Sequence, residues 1–357
     1  MKETQLDFSK ITKLIDQEIE KGTLPGAVLA VTTNDSVPLI YSAGYAHKEK
    51  EVKVTKETLY DLASLTKVTS TLPAILLLLE AGEIDLDDPV YNYVQSFKEH
   101  NDDITIKHLL THTSGYPPEI KFYQRNLTME AAVVEIAGLT AKKPAGTEVI
   151  YSDLNYIVLG YITEQVSGMP LDEYTANHIY KPLGMKNTFF NPPEHLRMQT
   201  AATEFRESLN DYQWGEVHDE NATNFNGISG HAGLFSTGGD MIKYCQLFLN
   251  KGVYQEKMLL SPLTIELAAD CYTDSLNLSR GLGWQLHSTG VFSGQFLQKG
   301  YGHTGFTGTS MWISPEKNLA IVLLTNRVHY GRENNINSLR RKLHNVIAVT
   351  MKEKGVI

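Results

Sequence analysis

The stretch that decides the fold is Asp61-Leu62-Ala63-Ser64-Leu65-Thr66-Lys67-Val68-Thr69-Ser70, which is followed by an apolar run over residues 72–79. It holds a serine and a lysine three positions apart, Ser64 and Lys67. If the segment is helical, their Cβ atoms lie about 5–6 Å apart on one face, so the amine can hydrogen-bond the hydroxyl. A serine hydroxyl becomes an effective nucleophile when a neighbouring base takes its proton. The spacing therefore predicts a nucleophilic serine where a helix begins.

The same spacing occurs a second time, at Ser314-Pro315-Glu316-Lys317. Roughly one Ser-x-x-Lys is expected by chance in a chain of this length and average composition. The second copy separates two strand-like runs, and its Pro, Glu and Lys residues are typical of a hairpin turn. We therefore interpret Ser314 as structural, and Ser64 needs partners elsewhere in the chain.

Composition limits the class of protein. The 357 residues are 42% hydrophobic and 20% charged, with a formal net charge of −9, which fits a soluble globular chain with a sizeable core. The acidic balance argues against non-specific binding to nucleic acid or to an anionic membrane surface. Neither a signal peptide nor a run of about 18 apolar residues is visible. The sequence therefore predicts a cytoplasmic protein without a membrane anchor, or a secreted one if a leader has been removed.

Strand patterns lie towards both ends of the chain and helical patterns in its middle. Strands are predicted at residues 27–33, 38–44, 284–287, 301–305, 309–313 and 319–325, and a long Gly-rich loop at 214–239. This order predicts an α+β fold, in which an antiparallel sheet is flanked by helices. We expect one domain over residues 1–357, with a sheet-bearing part at about 1–85 and 200–357 and an α-rich inserted part at about 86–199. The site should lie where these two parts meet.

Two further segments carry weak signals. Tyr151-Ser152-Asp153 opens a predicted helix, and a tyrosine can transfer protons if nearby positive charge lowers its pKa. His303-Thr304-Gly305 lies on a predicted strand, where glycine lets a substrate lie beside the strand edge and leaves the next amide free to donate. In isolation, the first is better explained as a half-buried aromatic residue and the second as a strand edge with a bulge.

Together and in this order, Ser64-x-x-Lys67, Tyr151-x-Asp153 and His303-Thr304-Gly305 resemble the three motifs of the serine β-lactamase and penicillin-binding-protein superfamily. Tyrosine in the second motif is similar to the class C β-lactamase-like branch, which also includes esterases, DD-carboxypeptidases and D-aminopeptidases. Residues 24–27, 105–115, 182–185 and 230–236 also look like this branch. The resemblance covers about residues 8–350 and implies the β-lactamase/transpeptidase-like fold.

The resemblance implies a role for each motif residue. Ser64 would be the acylated nucleophile, Lys67 would share or relay its proton, and Tyr151 would be the general base. The amides of Ser64 and Phe306 would form an oxyanion hole, which is often the largest electrostatic contribution. Arg327, at a predicted strand end, could reach a substrate carboxylate or equally form a surface salt bridge. The expected substrate-binding residues are Asp153, His303, Thr304, Gly305, Phe306 and Arg327.

Two residues depart from the pattern of β-lactamases in this branch. Asp153 stands where those enzymes carry asparagine, and His303 stands where they carry lysine. A permanent cation is thus replaced by a group that we expect to titrate near neutrality. Histidine in the third motif is similar to esterase and D-aminopeptidase members. The resemblance therefore supports the mechanism more firmly than it supports β-lactam hydrolysis.

The sequence predicts a serine hydrolase that acts through an acyl-enzyme on a small ester, or on an amide or peptide containing a D-amino acid, without a cofactor. A DD-carboxypeptidase or weak class C-type β-lactamase stays open, as does a non-catalytic penicillin-binding-like module. No metal site is predicted, because His108 and His112 lack a carboxylate at ligand spacing. His218 and His231 could line the site or stabilise turns.

Overall fold

The structure, a computed structural model, describes residues 7–286 and 292–357. The helices are Ser9–Glu20 (α1), Leu72–Glu80 (α2), Ile106–Leu110 (α3), Met129–Ala137 (α4), Asp153–Ser167 (α5), Leu171–Thr175 (α6), Glu220–Asn224 (α7), Gly238–Leu249 (α8), Pro262–Ala269 (α9) and Asn337–Glu353 (α10). The strands are Gly26–Thr32 (β1), Leu39–His47 (β2), Val52–Lys53 (β3), Tyr60–Asp61 (β4), Phe189–Phe190 (β5), Phe205–Arg206 (β6), Asp211–Tyr212 (β7), Leu234–Ser236 (β8), Val253–Tyr254 (β9), Lys257–Met258 (β10), Gln285–Leu286 (β11), Tyr301–Thr304 (β12), Ser310–Ser314 (β13) and Leu319–Thr325 (β14).

The main sheet is antiparallel and has the strand order β11-β12-β13-β14-β1-β2-β3 over the described residues. β1 lies inside it, with Ala27 opposite Thr325 of β14 and opposite Ala43 of β2. Every residue of β1 is buried, as expected for a continuous apolar run in a sheet covered on both faces. Segments from the two ends of the chain therefore form one sheet.

The residues of β1 alternate between two hydrophobic cores, because successive side chains of a strand point to opposite faces. Val28 and Ala30 pack in the larger core, which also contains the α2 and α5 residues. Leu29 and Val31 pack in a second core with residues of α1 and α10. The sheet thus lies between two terminal helices on one face and the helical middle of the chain on the other.

The predicted α+β class is confirmed, and most predicted elements occur within a few residues of their expected bounds. The predicted loop at 214–239 was wrong in part, because it contains α7 and β8. β8 forms through pairing with β4 and β5, which are distant in sequence. The predicted strand at 284–287 is β11, and its last residue, His287, lies outside the described residues together with residues 1–6.

The segment after Ser64 is less regular than expected. A 3-10 turn covers Ala63–Leu65, a π-helical turn covers Lys67–Thr71, and regular α-helix begins only with α2. Single π-helical turns in α-helices occur frequently at functional sites. Among the described residues, only the segment Ala63–Glu80 is long and apolar enough to cross a membrane, and 78% of it is buried inside the protein. Its composition is therefore that of a core helix.

Candidate active site

A buried carboxylate shapes the turn that carries Ser64. Asp61 Oδ1 accepts a hydrogen bond from the Ala63 amide at 2.8 Å, and its Oδ2 accepts one from the His218 amide at 2.6 Å. Ala63 has φ of +47°, and left-handed backbone costs a residue with a Cβ about 1–2 kcal/mol. Its hydrogen bond to Asp61 helps to hold this conformation, so a sharp turn presents Ser64 at the end of β4.

Lys67 lies beneath Ser64 and is wholly buried. Its Nζ donates to Ser64 Oγ at 2.9 Å and to the His231 carbonyl at 3.1 Å, and it lies 2.7 Å from Asp153 Oδ1. Burial lowers the pKa of Lys67, but Asp153 and then Tyr151 outweigh burial and raise this pKa above its ordinary value. Lys67 is therefore an ammonium ion at neutral pH and donates to Ser64.

Tyr151 lies on the same cavity as Ser64, just before α5. Its ring centroid is 5.1 Å from Lys67 Nζ and 5.6 Å from Arg280 Cζ. The ring of His303 lies 5.8 Å away on the cavity side. Two cations thus lie beside the phenol on the cavity that Ser64 also lines.

His303, at the end of β12, is buried, and its Nδ1 lies 2.8 Å from the Thr304 carbonyl. A carbonyl only accepts hydrogen bonds, so Nδ1 carries a proton and donates it there. Burial, followed by the charges of Arg280 and Lys67, lowers the pKa of His303 well below its ordinary value. The expectation that His303 titrates near neutrality was wrong, because the sequence did not show this burial. A neutral His303 offers the cavity only the acceptor Nε2.

Gly305 allows the end of β12 to approach the Ser64 turn. A Cβ at this position would lie 2.3 Å from the Leu62 carbonyl oxygen and 2.2 Å from Thr309 Oγ1. The two segments are also joined directly, because Thr307 Oγ1 donates to the Asp61 carbonyl at 2.8 Å and Thr309 Oγ1 to the Leu62 carbonyl at 2.9 Å. Phe306 therefore lies beside the Ser64 turn, and both line one cavity.

An open cavity of about 490 Å³ joins most of the predicted site residues. Asp153 is not among its lining residues, and its Oδ1 lies 2.7 Å from Lys67 Nζ, so substrate binding by Asp153 stays a prediction. Arg280 also lines this cavity, although no local sequence pattern marks it. The lining residues are Ser64, Tyr151, Arg280, Gln285, His303, Thr304, Gly305, Phe306, Arg327, Arg332, Glu333, Asn334, Asn335, Ile336, Asn337 and Arg340.

Arg327 lines the cavity, but part of its guanidinium already donates to backbone carbonyls. Its Nη1 donates to the Arg332 carbonyl at 2.9 Å and to the Asn334 carbonyl. Its Cζ lies 5.0 Å from the Phe306 ring centroid. Contact with a substrate carboxylate stays a prediction for this residue.

The other four histidines that the sequence analysis considered, His108, His112, His218 and His231, have hydrogen-bond partners. His218 Nε2 lies 3.0 Å from Glu204 Oε2, and the ring stacks on Phe306 at 5.6 Å. His231 Nε2 lies 2.9 Å from Asp219 Oδ1. His108 and His112 each accept a backbone amide on Nδ1 at 3.2 Å, from Thr105 and Ser152 respectively. These contacts stabilise the turns around the site.

Two groups of described residues could offer three ligand atoms to a metal ion. Asp153, Asp219 and His231 form one group, but the Lys67 ammonium already lies 2.7 Å from Asp153. His47, Glu49 and His329 form the other. There, His329 Nε2 lies 2.7 Å from Glu49 Oε2, and none of the three lines the cavity.

A family model described as beta-lactamase matches residues 11–345. The chain belongs to the β-lactamase family. It is 33% identical to a putative D-alanyl-D-alanine carboxypeptidase of Escherichia coli O157:H7, over 90% of this chain and 82% of that protein. It is 34% identical to an N-acetylmuramyl-L-alanine amidase of Bacillus subtilis (strain 168), over 90% of this chain and 81% of that protein.

Several solved structures have the same fold as this chain. An octameric penicillin-binding protein homologue from Pyrococcus abyssi superposes with a TM-score of 0.78 at 23% identity, covering 98% of this chain and 79% of that one. A class C β-lactamase from Rhodobacter sphaeroides gives 0.76 at 20% identity, covering 96% and 99%. EstCE1, a hydrolase with promiscuous acyltransferase activity, gives 0.77 at 21% identity, covering 95% and 98%. The predicted superfamily and fold are confirmed, and the chain is a hydrolase of this family.

Proposed function

We propose that this chain is a serine hydrolase that forms an acyl-enzyme with a small ester, or with an amide or peptide containing a D-amino acid. The observation that carries the proposal is Ser64 Oγ, 2.9 Å from the buried Lys67 Nζ, on a cavity that Tyr151 and His303 also line. The names of the curated relatives, a carboxypeptidase and an amidase, support an amide bond as the target.

The charge state of Lys67 assigns the roles in this mechanism. Because Lys67 is already protonated, Tyr151 reacts as the phenolate, which the Lys67 ammonium faces, and takes the Ser64 proton while Oγ attacks the substrate carbonyl carbon. The amides of Ser64 and Phe306 stabilise the oxyanion that forms. Tyr151 then returns the proton to the leaving group as its bond to carbon breaks. In the second half, a water molecule gives a proton to Tyr151, and its oxygen attacks the acyl carbon. The bond from that carbon to Ser64 Oγ then breaks, and Tyr151 returns the proton to Oγ.

The neutral His303 argues against efficient β-lactam hydrolysis. Its Nδ1 proton is committed to the Thr304 carbonyl, so it has no proton to donate to a β-lactam carboxylate. A lysine would supply a charged hydrogen bond worth about 1.5–3 kcal/mol, which is about tenfold or more in binding. We therefore expect clear turnover of 4-nitrophenyl butyrate or a D-alanine anilide, and slow turnover of nitrocefin. His303→Lys should raise acylation by nitrocefin and lower turnover of the ester.

The test measures kcat/KM for these substrates and covalent labelling by a fluorophosphonate probe. Ser64→Ala should abolish turnover and labelling. Ser314→Ala is the matched control, because Ser314 has the same Ser-x-x-Lys spacing but donates to the Lys299 carbonyl away from the cavity. Turnover by Ser64→Ala near the parent level would overturn the nucleophile assignment. Efficient nitrocefin turnover by the parent would overturn the substrate preference.

A second candidate is a DD-carboxypeptidase, which the name of the Escherichia coli relative favours. It predicts release of D-alanine from diacetyl-Lys-D-Ala-D-Ala, with the same dependence on Ser64. A non-catalytic binding module is disfavoured, since the hydrogen bond between Ser64 and Lys67 is intact. Absence of fluorophosphonate labelling in the parent would support that alternative.

A further inference from the structure

Two histidines and a glutamate converge away from the active-site cavity, between the end of β2 and the turn that follows β14. His47 is the last residue of β2, Glu49 follows it before β3, and His329 lies in the 3-10 turn Arg327–Tyr330. Both imidazoles are buried, whereas the Glu49 side chain is 47% exposed. The three potential ligand atoms lie within 4.8 Å of one another. No local pattern predicts this group, because His329 lies 280 positions after Glu49.

The hydrogen bonds of His329 leave a lone pair facing Glu49. Its Nδ1 lies 3.2 Å from the Ala202 carbonyl, which only accepts, so Nδ1 carries a proton. Its Nε2 accepts a long hydrogen bond from the Lys48 amide at 3.4 Å, so Nε2 is unprotonated. Glu49 Oε2 lies only 2.7 Å from this Nε2. Two acceptors at this distance repel each other unless a cation lies between them, and the Lys48 contact favours a metal ion over a proton on Nε2.

His47 presents a second lone pair to the same carboxylate. Its Nδ1 accepts from the Lys50 amide at 3.4 Å, so this nitrogen is also unprotonated. It lies 3.5 Å from Glu49 Oε2. The Lys50 ammonium pairs with Asp211 at 2.8 Å, which offsets its repulsion of a cation. Two neutral imidazoles and one carboxylate are a ligand set that zinc takes in proteins, at about 2.0–2.2 Å from each ligand atom.

Aromatic neighbours hold the three side chains in place. The Tyr212 hydroxyl donates to Glu49 Oε1 at 3.0 Å, which leaves Oε2 for a metal ion. The Tyr212 ring stacks on His329 with 4.1 Å between ring centroids. Trp214 meets His47 edge to face at 4.9 Å. Neighbours that orient ligands in this way are a regular part of metal sites.

We propose that His47, Glu49 and His329 bind a zinc ion, with water completing the coordination on the exposed side of Glu49. The ion joins the end of β2 to the turn after β14. None of its three ligands lines the active-site cavity, so its role is structural and not catalytic. Arg327, the first residue of the same turn, does line the cavity, so the ion also helps to hold this part of the cavity wall. The inference goes beyond the proposed hydrolase function and does not rest on it.

The test measures zinc binding by the full chain, without a histidine tag and freed of metal by EDTA. Calorimetric titration with zinc chloride at pH 7.5 should show one zinc ion bound at these residues. The melting temperature should rise by about 3–4 °C when free zinc is about 100 times Kd.

His47→Gln, Glu49→Gln and His329→Gln should each weaken zinc binding about a hundredfold or more, because even loss of a residue that only orients a ligand costs about 10–100-fold. Glu49→Gln is the variant least disturbing to the fold, since this side chain is 47% exposed and its amide oxygen can still accept from Tyr212.

His100→Gln is the matched control. His100 also lies near a glutamate, Glu99, at 3.9 Å and is 59% exposed, but it belongs to neither group of three ligands in the described part of the chain. This variant should keep the zinc affinity and the rise in melting temperature of the parent.

Two results would overturn the inference. If the parent binds no zinc at millimolar zinc chloride, a proton and not a metal ion lies between His329 and Glu49. If Glu49→Gln and both histidine variants bind zinc as tightly as the parent, the ion is held elsewhere on the chain. Neither measurement involves turnover, so failure of the proposed hydrolase function would leave the zinc result unchanged, and failure of zinc binding would leave the assignment of Ser64 unchanged.

Discussion

The buried ion pair between Lys67 and Asp153 is the contact whose removal tests the mechanism most directly. The Nζ and Oδ1 atoms are 2.7 Å apart, Lys67 is wholly buried, and the Asp153 side chain is 24% exposed. Two unit charges at this separation interact by about 6 kcal/mol at an effective dielectric constant of about 20. Breaking a buried pair by removing one partner typically costs about 3–5 kcal/mol. We expect Asp153→Asn and Lys67→Met each to destabilise the fold by about that amount.

The assay is a double-mutant cycle measured by urea unfolding at pH 7.5. The double variant should lose clearly less than the sum of the two single losses, which gives a coupling energy of about 3 kcal/mol. A parallel cycle on Lys251 and Glu266 is the control. These residues are also paired, at 3.1 Å, but are 67% and 58% exposed, and exposed pairs contribute less than about 1 kcal/mol.

The choice of pH 7.5 for this measurement follows from the raised pKa of Lys67. Because Asp153 raises the pKa of Lys67, the pair stabilises the fold fully below the ordinary lysine pKa of about 10.4. The stabilisation is lost only as pH rises through the raised pKa. At pH 7.5 the full coupling is therefore measured. A coupling energy no larger than that of the surface pair would mean that Lys67 is neutral. Lys67 would then be the general base instead of Tyr151.

Three further predictions follow from the same contacts. Tyr151→Phe should lower the acylation rate more than Asp153→Asn, measured by stopped-flow labelling, and the reverse order would contradict a tyrosine base. Gly305→Ala should lower kcat/KM about tenfold or more, because its Cβ would meet the Leu62 carbonyl at 2.3 Å and displace the Phe306 amide. The control Gly239→Ala, with nothing within 4 Å, should change stability by less than about 1 kcal/mol. Burial lowers the pKa of His344 to about 4. Between pH 6.5 and pH 4, the unfolded chain therefore binds a proton at this residue that the folded chain does not bind. As the pH falls through this range, the free energy of unfolding should decrease by about 3 kcal/mol. Urea unfolding of His344→Gln over this range should show a shallower fall, and an equal slope would exclude His344 as the cause.

The sequence predicted those features that depend on local spacing. The three motifs, the strands at both ends and the position of α5 follow from short patterns of residues. Asp61, Arg280 and β8 could not be predicted in this way, since their roles depend on partners far along the chain. The same reason explains His303, whose identity was visible but whose burial beside Arg280 was not.

The pairing of β1 with β14 has a consequence for how the protein folds during synthesis. Thr325 Oγ1 donates to the Gly26 carbonyl at 2.7 Å across 299 positions of sequence. On the ribosome, β1 can pair with β2 soon after both have emerged, while its other edge stays open until β14 has been made. Such distant pairing slows folding, and an open strand edge favours aggregation until it is covered. The turn that carries Ser64 also lacks part of its hydrogen bonding until then. Thr307 and Thr309, which donate to the Asp61 and Leu62 carbonyls of this turn, are translated only shortly before β14.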